Sequence, residues 1–351
     1  MHINLTSVYL VCVLALGFWL SPVSTYSANH AFQEDLYRIY NEYESAIVRV
    51  KAAFRQKETE DKPSQINLRI GTGFFVSKEG HVLVNASRAL GAYKIGIEHN
   101  GIVYPAEAIG HDPATNISLL RLINTPKEFG VIPLTFEEQD IPLGTFLFSL
   151  ACPLDFDVSP IFGILSGVDK KLGDSIFPTA YYRTSITIGS GQGGSPVFDA
   201  NGRMIGMTIA SIPDMNGSYC LPVSSLARVK EDLMVGGKSL RGWIGLEVRE
   251  NISGQKEHNV YISKINKPGP AELAGLKVGD NILSLCDVRI KHILDLPSAT
   301  FKTYINQLSP IKILRGDKVM EFSIKATEAP AAKEASETEE GLNLRNRGLF
   351  V

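Results

Sequence analysis

Between Gly73 and Leu122 the chain is cut into short apolar runs by turn-forming residues, and this rhythm restricts the fold more than any other feature. The runs are Gly73-Phe74-Phe75-Val76, Val82-Leu83-Val84, Lys94-Ile95-Gly96-Ile97, Val103 to Ala108 and Ser118 to Leu122, with Lys78-Glu79-Gly80 as one intervening turn. Each has the length and side chains of a strand, and none is long enough for an amphipathic helix. Ala46-Ile47-Val48-Arg49-Val50 reads as a strand that precedes them, and the polar stretch from Gln56 to Gln65 as an exposed loop. Short strands of even spacing predict an antiparallel barrel or sandwich.

Further along, Gly189-Ser190-Gly191-Gln192-Gly193-Gly194-Ser195-Pro196 runs into the strand-like Val197-Phe198, a turn at Asp199 to Gly202, and a second apolar run from Met204 to Ile209. Glycines let a loop take positive φ and aim several N–H groups into one space, which suits an oxyanion hole. The loop by itself is equally consistent with an ordinary hairpin that has a glycine-rich entry.

That loop resembles the nucleophile loop of trypsin-like serine proteases, most closely the HtrA/Deg family of secreted proteases with PDZ domains. The family reads Gly-Asn-Ser-Gly-Gly-Pro there; aligned on the proline, this chain reads Gly191-Gln192-Gly193-Gly194-Ser195-Pro196. The nucleophile position is Gly193, which has no side chain. The family's histidine lies in a segment like Leu-Thr-Asn-Asn-His-Val-Val, matched here by Leu83-Val84-Asn85-Ala86-Ser87-Arg88-Ala89, so Ser87 stands at the general-base position. Its aspartate lies in a segment like Asp-Pro-Arg-Thr-Asp-Ile-Ala-Leu-Leu, matched by Asp112 to Leu120, so Asn116 stands at the carboxylate position.

A serine protease needs a hydroxyl, an imidazole to take its proton and a carboxylate to orient that imidazole. With Ser87, Asn116 and Gly193 at the three positions, the resemblance implies an inactive serine endopeptidase homologue with no catalytic residue in place. The alternative is an active endopeptidase with relocated residues, for which Ser190, Ser195, His81 and His111 are the nearby candidates. Ser195 is expected to point away from the vacant position, and His111 to face solvent on a turn. Peptide binding can outlast the chemistry: Gly191, Gln192 and Gly193 form an oxyanion-like loop, the strand after Ile209 can pair with an extended peptide, and Cys220-Leu221-Pro222 matches the family's pocket-lining segment. Retention of the barrels purely as a scaffold is the other reading.

Val223 to Leu233 predicts a short amphipathic helix, followed by Gly236-Gly237 as a hinge. Beyond it, Pro270-Ala271-Glu272-Leu273-Ala274-Gly275-Leu276-Lys277-Val278-Gly279-Asp280 closely resembles the PDZ signature of HtrA proteases, and the match runs from about Leu240 to Thr327. PDZ domains add C-terminal peptides as a strand beside a helix. By resemblance, Trp243-Ile244-Gly245-Leu246 forms the carboxylate-holding loop, although Trp243 and Leu246 also suit core packing. The groove helix is expected over Leu296 to Leu308, with Phe301 on its groove face, and Lys312 to Lys325 closes the domain.

The resulting organisation is mostly β: a double six-stranded β-barrel of trypsin-like type over residues 46–236, followed by a PDZ domain, a β-sandwich with capping helices, over 237–327. An N-terminal helical segment is expected at 28–45, with Phe32, Leu36, Ile39, Tyr40 and Tyr43 on one face. That face suits packing on the barrels or, by resemblance, a homo-trimer contact. Residues 1–27 have the layout of a signal peptide, an apolar run from Val8 to Leu20 and then small residues, although no Lys or Arg precedes the run. This predicts export to a periplasmic or extracellular space, or a membrane anchor if the segment is uncleaved. Residues 328–351 read as a disordered acidic linker with an apolar tail, and Leu349, Phe350 and Val351 suit a PDZ groove.

Composition narrows the partners. A net charge of −2 over 351 residues gives no reason to expect nucleic acid. No Cys/His spacing suggests a metal site, and no cofactor is expected. Cys12 falls in the leader, leaving Cys152, Cys220 and Cys286, which read as buried small hydrophobes, with a Cys152–Cys220 bridge as the other possibility. The expected partners are C-terminal or unfolded peptide segments, this chain's own tail, further copies, or an active relative.

Overall fold

The computed structural model describes residues 26–55, 65–137, 140–212, 215–251 and 260–328. The signal segment up to residue 25, the loop at 56–64 and the tail from 329 lie outside the described residues. Helix α1 (Tyr26–Tyr43) leads to β1 (Ile47–Arg55), β2 (Ile66–Phe75), β3 (His81–Asn85), α2 (Ala86–Ala89), β4 (Lys94–His99), β5 (Ile102–Asp112) and β6 (Ile117–Leu122). These strands close a barrel in the order β1-β2-β3-β6-β5-β4. A second barrel follows: β7 (Phe146–Ala151), β8 (Ser159–Leu172), β9 (Ser175–Thr184), β10 (Pro196–Asp199), β11 (Met204–Ile212) and β12 (Gly217–Pro222), ordered β10-β11-β12-β9-β8-β7.

Neighbouring side chains on one strand serve different cores, which is why the strand sequences read as continuous apolar runs. Phe75, Val82, Val84 and Leu120 fill the first barrel. Their neighbours Phe74, Leu83 and Leu119 turn outward and join Phe148, Leu150, Met207 and Leu221 of the second barrel in one buried cluster. Both faces are therefore buried, and the two barrels are held by the same strands that build them.

Helix α3 (Val223–Gly236) packs on that shared cluster through Leu226, Val229 and Leu233. The expected hinge is instead a helix cap. Gly237 takes φ +67°, its N–H donates to Leu233 O at 3.0 Å, and its carbonyl accepts from His111 N at 3.2 Å. The third unit contains β13 (Leu246–Glu250), β14 (Val260–Ile265), α4 (Pro270–Leu273), β15 (Asn281–Leu285), β16 (Val288–Arg289), α5 (Leu296–Phe301), β17 (Leu308–Arg315) and β18 (Lys318–Lys325). Its sheet runs β13-β14-β15-β17-β18, with β16 paired to β15, and it buries its own core around Ile262, Leu285, Ile313 and Ile324.

Two expectations about this unit need correction. Helix α5 ends at Phe301, and Leu308 already begins β17. Phe301 is 5 % exposed and belongs to the barrel-side cluster, so it faces the barrels rather than a peptide groove. The cause is a tertiary contact: α5 is clamped to the second barrel, with Ala180 N–H donating to Ser298 Oγ at 3.0 Å and Lys170 paired with Asp295. Among the described residues no helix is long and apolar enough to cross a membrane. Cys152, Cys220 and Cys286 are all free thiols.

Candidate functional site

The end of β3, the loop between β5 and β6, and the glycine loop before β10 meet at the seam of the two barrels, and they bring Ser87, Asn116 and Gly193 into one neighbourhood. The register of β3 on β6 pairs Asn85 with Ile117, so α2 starts directly beside Asn116. Asn116 adopts φ +59°, a left-handed conformation that asparagine tolerates better than most residues. Its Oδ1 accepts the Ser87 N–H at 2.8 Å, and its Nδ2 donates to Ile209 O of the second barrel at 2.7 Å. Both halves of the amide are thus used, one in each barrel.

Gly193 is tied in through residues that sequence reasoning missed. Thr72 N–H donates to Gly193 O at 3.0 Å, and Thr72 Oγ1 donates to Gly191 O at 2.8 Å while accepting from Cys152 N at 2.9 Å. The Asn85 amide completes the seam when its Nδ2 donates to Thr208 O at 3.1 Å and its Oδ1 accepts from Gly194 N at 3.2 Å. Gly194 sits at φ +97°, and a Cβ on it would lie 2.2 Å from Thr72 O, so only glycine fits there. The sequence signal for Thr72 was its place between two glycines, Gly71 and Gly73, where backbones approach closely.

Of the oxyanion-like loop, the Gln192 N–H is occupied by Gly189 O at 3.1 Å, and the Gln192 side chain accepts from Gly189 N at 2.6 Å. The N–H groups of Gly191 and Gly193 make no hydrogen bond among the described residues. Among the described residues, two of the loop's three N–H groups are therefore unengaged.

The replacement candidates do not converge on it. Ser195 is fully buried, and its hydroxyl pairs with Thr208 Oγ1 at 2.9 Å inside the second barrel. Ser190 is exposed. His81 Nδ1 pairs with Ser77 Oγ at 2.7 Å, at the opposite end of β3 from Asn85. His111 does not face solvent on a turn: it lies in β5, half-buried, with Nδ1 on Ser118 Oγ at 2.6 Å. Burial pushes the pKa of both histidines down. The expected pocket wall is also closed, because Cys220 and Leu221 are completely buried in the barrel.

Two arginines border the seam. Arg69 Nη1 donates to Ser87 O at 3.0 Å and its guanidinium lies 4.1 Å from the centre of the Phe54 ring. Arg88, next to Ser87 on α2, makes no hydrogen bond or ion pair among the described residues. Burial lowers its pKa, and the positive charge of Arg69 lowers it further.

In the third unit, β13 is an edge strand of the sheet. Trp243 and Thr327 exchange backbone hydrogen bonds at 2.7 and 3.0 Å, Ile244 O accepts from Ala271 N at 3.0 Å, and Gly245 O accepts from Asn266 N at 2.9 Å. The carbonyls of the loop are thereby held inward, and the Ile244 and Gly245 N–H groups make no such bond among the described residues. Gly245 has φ +76°, with the Trp243 ring packed beneath it, 3.2 Å from where a Cβ would stand. Trp243 thus shapes the turn from below. Ile244 is buried, and Leu246 is half-buried against the domain core.

Comparison with known proteins agrees with this architecture. The model of the trypsin-like peptidase domain matches residues 71–207, and that of the PDZ domain matches residues 242–326. A probable periplasmic serine endoprotease, DegP-like, from Pseudomonas fluorescens (strain Pf-5) is 27 % identical over 261 residues, which is 71 % of this chain and 54 % of the relative. Its counterpart from Marinomonas sp. (strain MWYL1) is 27 % identical over 274 residues, 74 % of this chain and 57 % of the relative. The chain spans about half the length of the curated relatives it matches. Among solved structures, the HtrA-type protease AlgW with a tripeptide superposes with a TM-score of 0.66 at 20 % identity, covering 84 % of this chain and 98 % of that one. The serine endoprotease from Yersinia pestis gives 0.58 at 20 % identity, covering 84 % and 98 %. At these identities the structures establish the fold.

Proposed function

The chain is a DegP/HtrA homologue, a trypsin-like peptidase domain joined to a PDZ domain, and from that premise we propose that it is an exported pseudoprotease that binds peptides or unfolded segments. The observation that carries this reading is the content of the Ser87–Asn116–Gly193 neighbourhood. Asn116 bonds the Ser87 backbone and, across the barrels, the Ile209 carbonyl, while Thr72 N–H holds Gly193 O, and none of the three positions carries an imidazole or a carboxylate. The one hydroxyl, on Ser87, sits at the base position, and serine does not act as a base near neutral pH. Oxyanion donors and binding alone leave roughly a thousandfold over water, too little for a working protease.

Binding survives in this reading. The N–H groups of Ile244 and Gly245, unengaged among the described residues, and the position of β13 at the sheet edge suit a peptide added as a further strand. Both the PDZ groove and the inactive cleft then serve capture, in a scaffold, chaperone-like or regulatory role that includes pairing with an active relative. The leader-like N-terminal sequence and the periplasmic naming of the relatives support export. A homo-trimer contact is proposed at α1, where Phe32 packs edge-on against Phe146 and Phe162, rings that stay 53 % and 59 % exposed.

A second reading, an active serine endopeptidase, draws on the names of the same relatives. It requires a relocated base, and His81 and His111 are both paired elsewhere. Casein turnover separates the two. The native chain and Gly193→Ser are expected to be silent, and activity to appear only in the triple variant Ser87→His, Asn116→Asp, Gly193→Ser. Cleavage by the native protein that a serine-directed probe blocks would reverse the assignment.

A further inference from the structure

We infer that the inactive cleft is a carboxylate-binding site built on Arg88 and Arg69, taking the acidic side chain or free C-terminus of an extended peptide. This rests on the reading of the cleft as non-catalytic, and it names what that cleft would hold.

Gly71 on β2 shows how close the parts lie. A Cβ placed there would stand 3.0 Å from Arg88 Cγ and 3.5 Å from Gly193 O. The stem of Arg88 therefore crosses β2 immediately beside the vacant nucleophile position. Where the family segment has valine after its histidine, this chain has an arginine.

Among the described residues the cation has no ion-pair partner. Arg88 is half-buried and makes no ion pair or hydrogen bond among the described residues, and Arg69, two residues before Gly71 on β2, shares the strand face that the Arg88 stem crosses. Arg69 is held in position by the Ser87 carbonyl and the Phe54 ring. Two neighbouring guanidiniums repel, and partial burial makes the repulsion worse, unless an anion lies between them. A carboxylate is the matching anion on a peptide: planar, with two acceptor oxygens for the forked donors of arginine. The N–H groups of Gly191 and Gly193, unengaged among the described residues, are neutral donors on the same loop. Charge recognition here thus uses the space that the lost nucleophile and base have left.

Three fluorescein-labelled decapeptides test this on the full chain by anisotropy: one with three Glu and an amidated C-terminus, its Gln counterpart also amidated, and the Gln peptide with a free C-terminus. Amidation removes capture by the PDZ loop from the first two. Arg88→Met keeps the stem over Gly71 and removes the charge; Arg69→Met is the second variant, and matching thermal midpoints confirm that both fold. Binding of the Glu peptide, lost in its Gln counterpart and weakened about tenfold or more by either variant, is the expected result. Binding that needs only the free C-terminus and is weakened as much by Arg88→Met assigns the same site to a terminal carboxylate. No binding in any arm, or binding that Arg88→Met leaves unchanged, overturns the inference. Casein turnover on the same preparations keeps the two readings apart: cleavage by the native chain sinks the pseudoprotease reading, while silence in both assays sinks only the carboxylate site.

Discussion

Asn116 shows what a single amide does at a position where the resemblance implies a carboxylate. Its oxygen accepts from the Ser87 backbone at 2.8 Å and its nitrogen donates to the Ile209 carbonyl at 2.7 Å, so it ties one barrel to the other while 4 % exposed. Asn116→Asp keeps the first bond and sets a second carboxylate oxygen against the Ile209 carbonyl. The expected cost at pH 7 is about 1–3 kcal/mol. The sign of the pH dependence follows. The repulsion raises the pKa of the new carboxyl in the folded state, so the deficit is largest at neutral pH and shrinks as the pH falls and the protonated group again donates to Ile209. Urea midpoints of the single variant at pH 7 and pH 4 measure this, and a deficit that grows toward pH 4 would contradict it. A carboxylate introduced at position 116 therefore works against the seam that the native amide stabilises.

At the scale of elements, the turn before β15 is fixed by Asp280, whose carboxylate takes the Arg315 Nε at 2.7 Å, Arg315 Nη2 at 2.8 Å and the Lys277 N–H at 2.8 Å. Burial alone would raise its pKa, but the Arg315 guanidinium and the Lys277 amide outweigh burial and hold the carboxyl below the usual aspartate range. A depressed folded-state pKa means that the stabilisation is present above the unfolded value, about 3.9, and is lost as the pH falls through the folded one. The PDZ domain is thus expected to weaken below about pH 4. Asp280→Asn should remove that acid limb and lower stability at pH 7 by about 2 kcal/mol. Differential scanning calorimetry from pH 7 to pH 3 reads both effects. The turn was legible in the sequence because the Gly279-Asp280 pair lies in a specific signature. The length of α5 was not: residues 296–308 carry no helix breaker beyond Pro297, and the groups that take the carbonyls at the helix end, Phe301 O and Thr303 O, belong to Arg228 on α3, far away in the chain.

For the molecule as a whole, one buried arginine joins the barrels to the PDZ domain. Arg228 on α3 donates to Phe301 O and Thr303 O, each at 2.8 Å, and to Leu240 O at 3.3 Å, and its guanidinium lies 3.5 Å from the centre of the Tyr304 ring. Arg241 adds a bond from the start of the PDZ domain to Asp112 at 3.1 Å, on the segment that carries Asn116. Arg228 Nε also pairs with the buried Asp232 carboxylate at 3.4 Å, so Arg228→Met leaves those carbonyls and Asp232 without this buried donor, at an expected cost of about 3 kcal/mol or more. Calorimetry should show one unfolding transition in the native chain and two in the variant; one transition in both would mean that the shared apolar cluster alone couples the domains. The sequence by itself determined the strands, because apolar runs and turns are local, and it determined that an alcohol, an amide and a bare backbone stand at Ser87, Asn116 and Gly193, because identity is local too. Only the tertiary structure decided which groups face one another: that Phe301 turns to the barrels, that Cys220 and Leu221 close on themselves, and that Arg88 crosses Gly71 beside Gly193. Those outcomes depend on contacts between residues far apart in the chain, where burial and backbone approach leave one arrangement that fits.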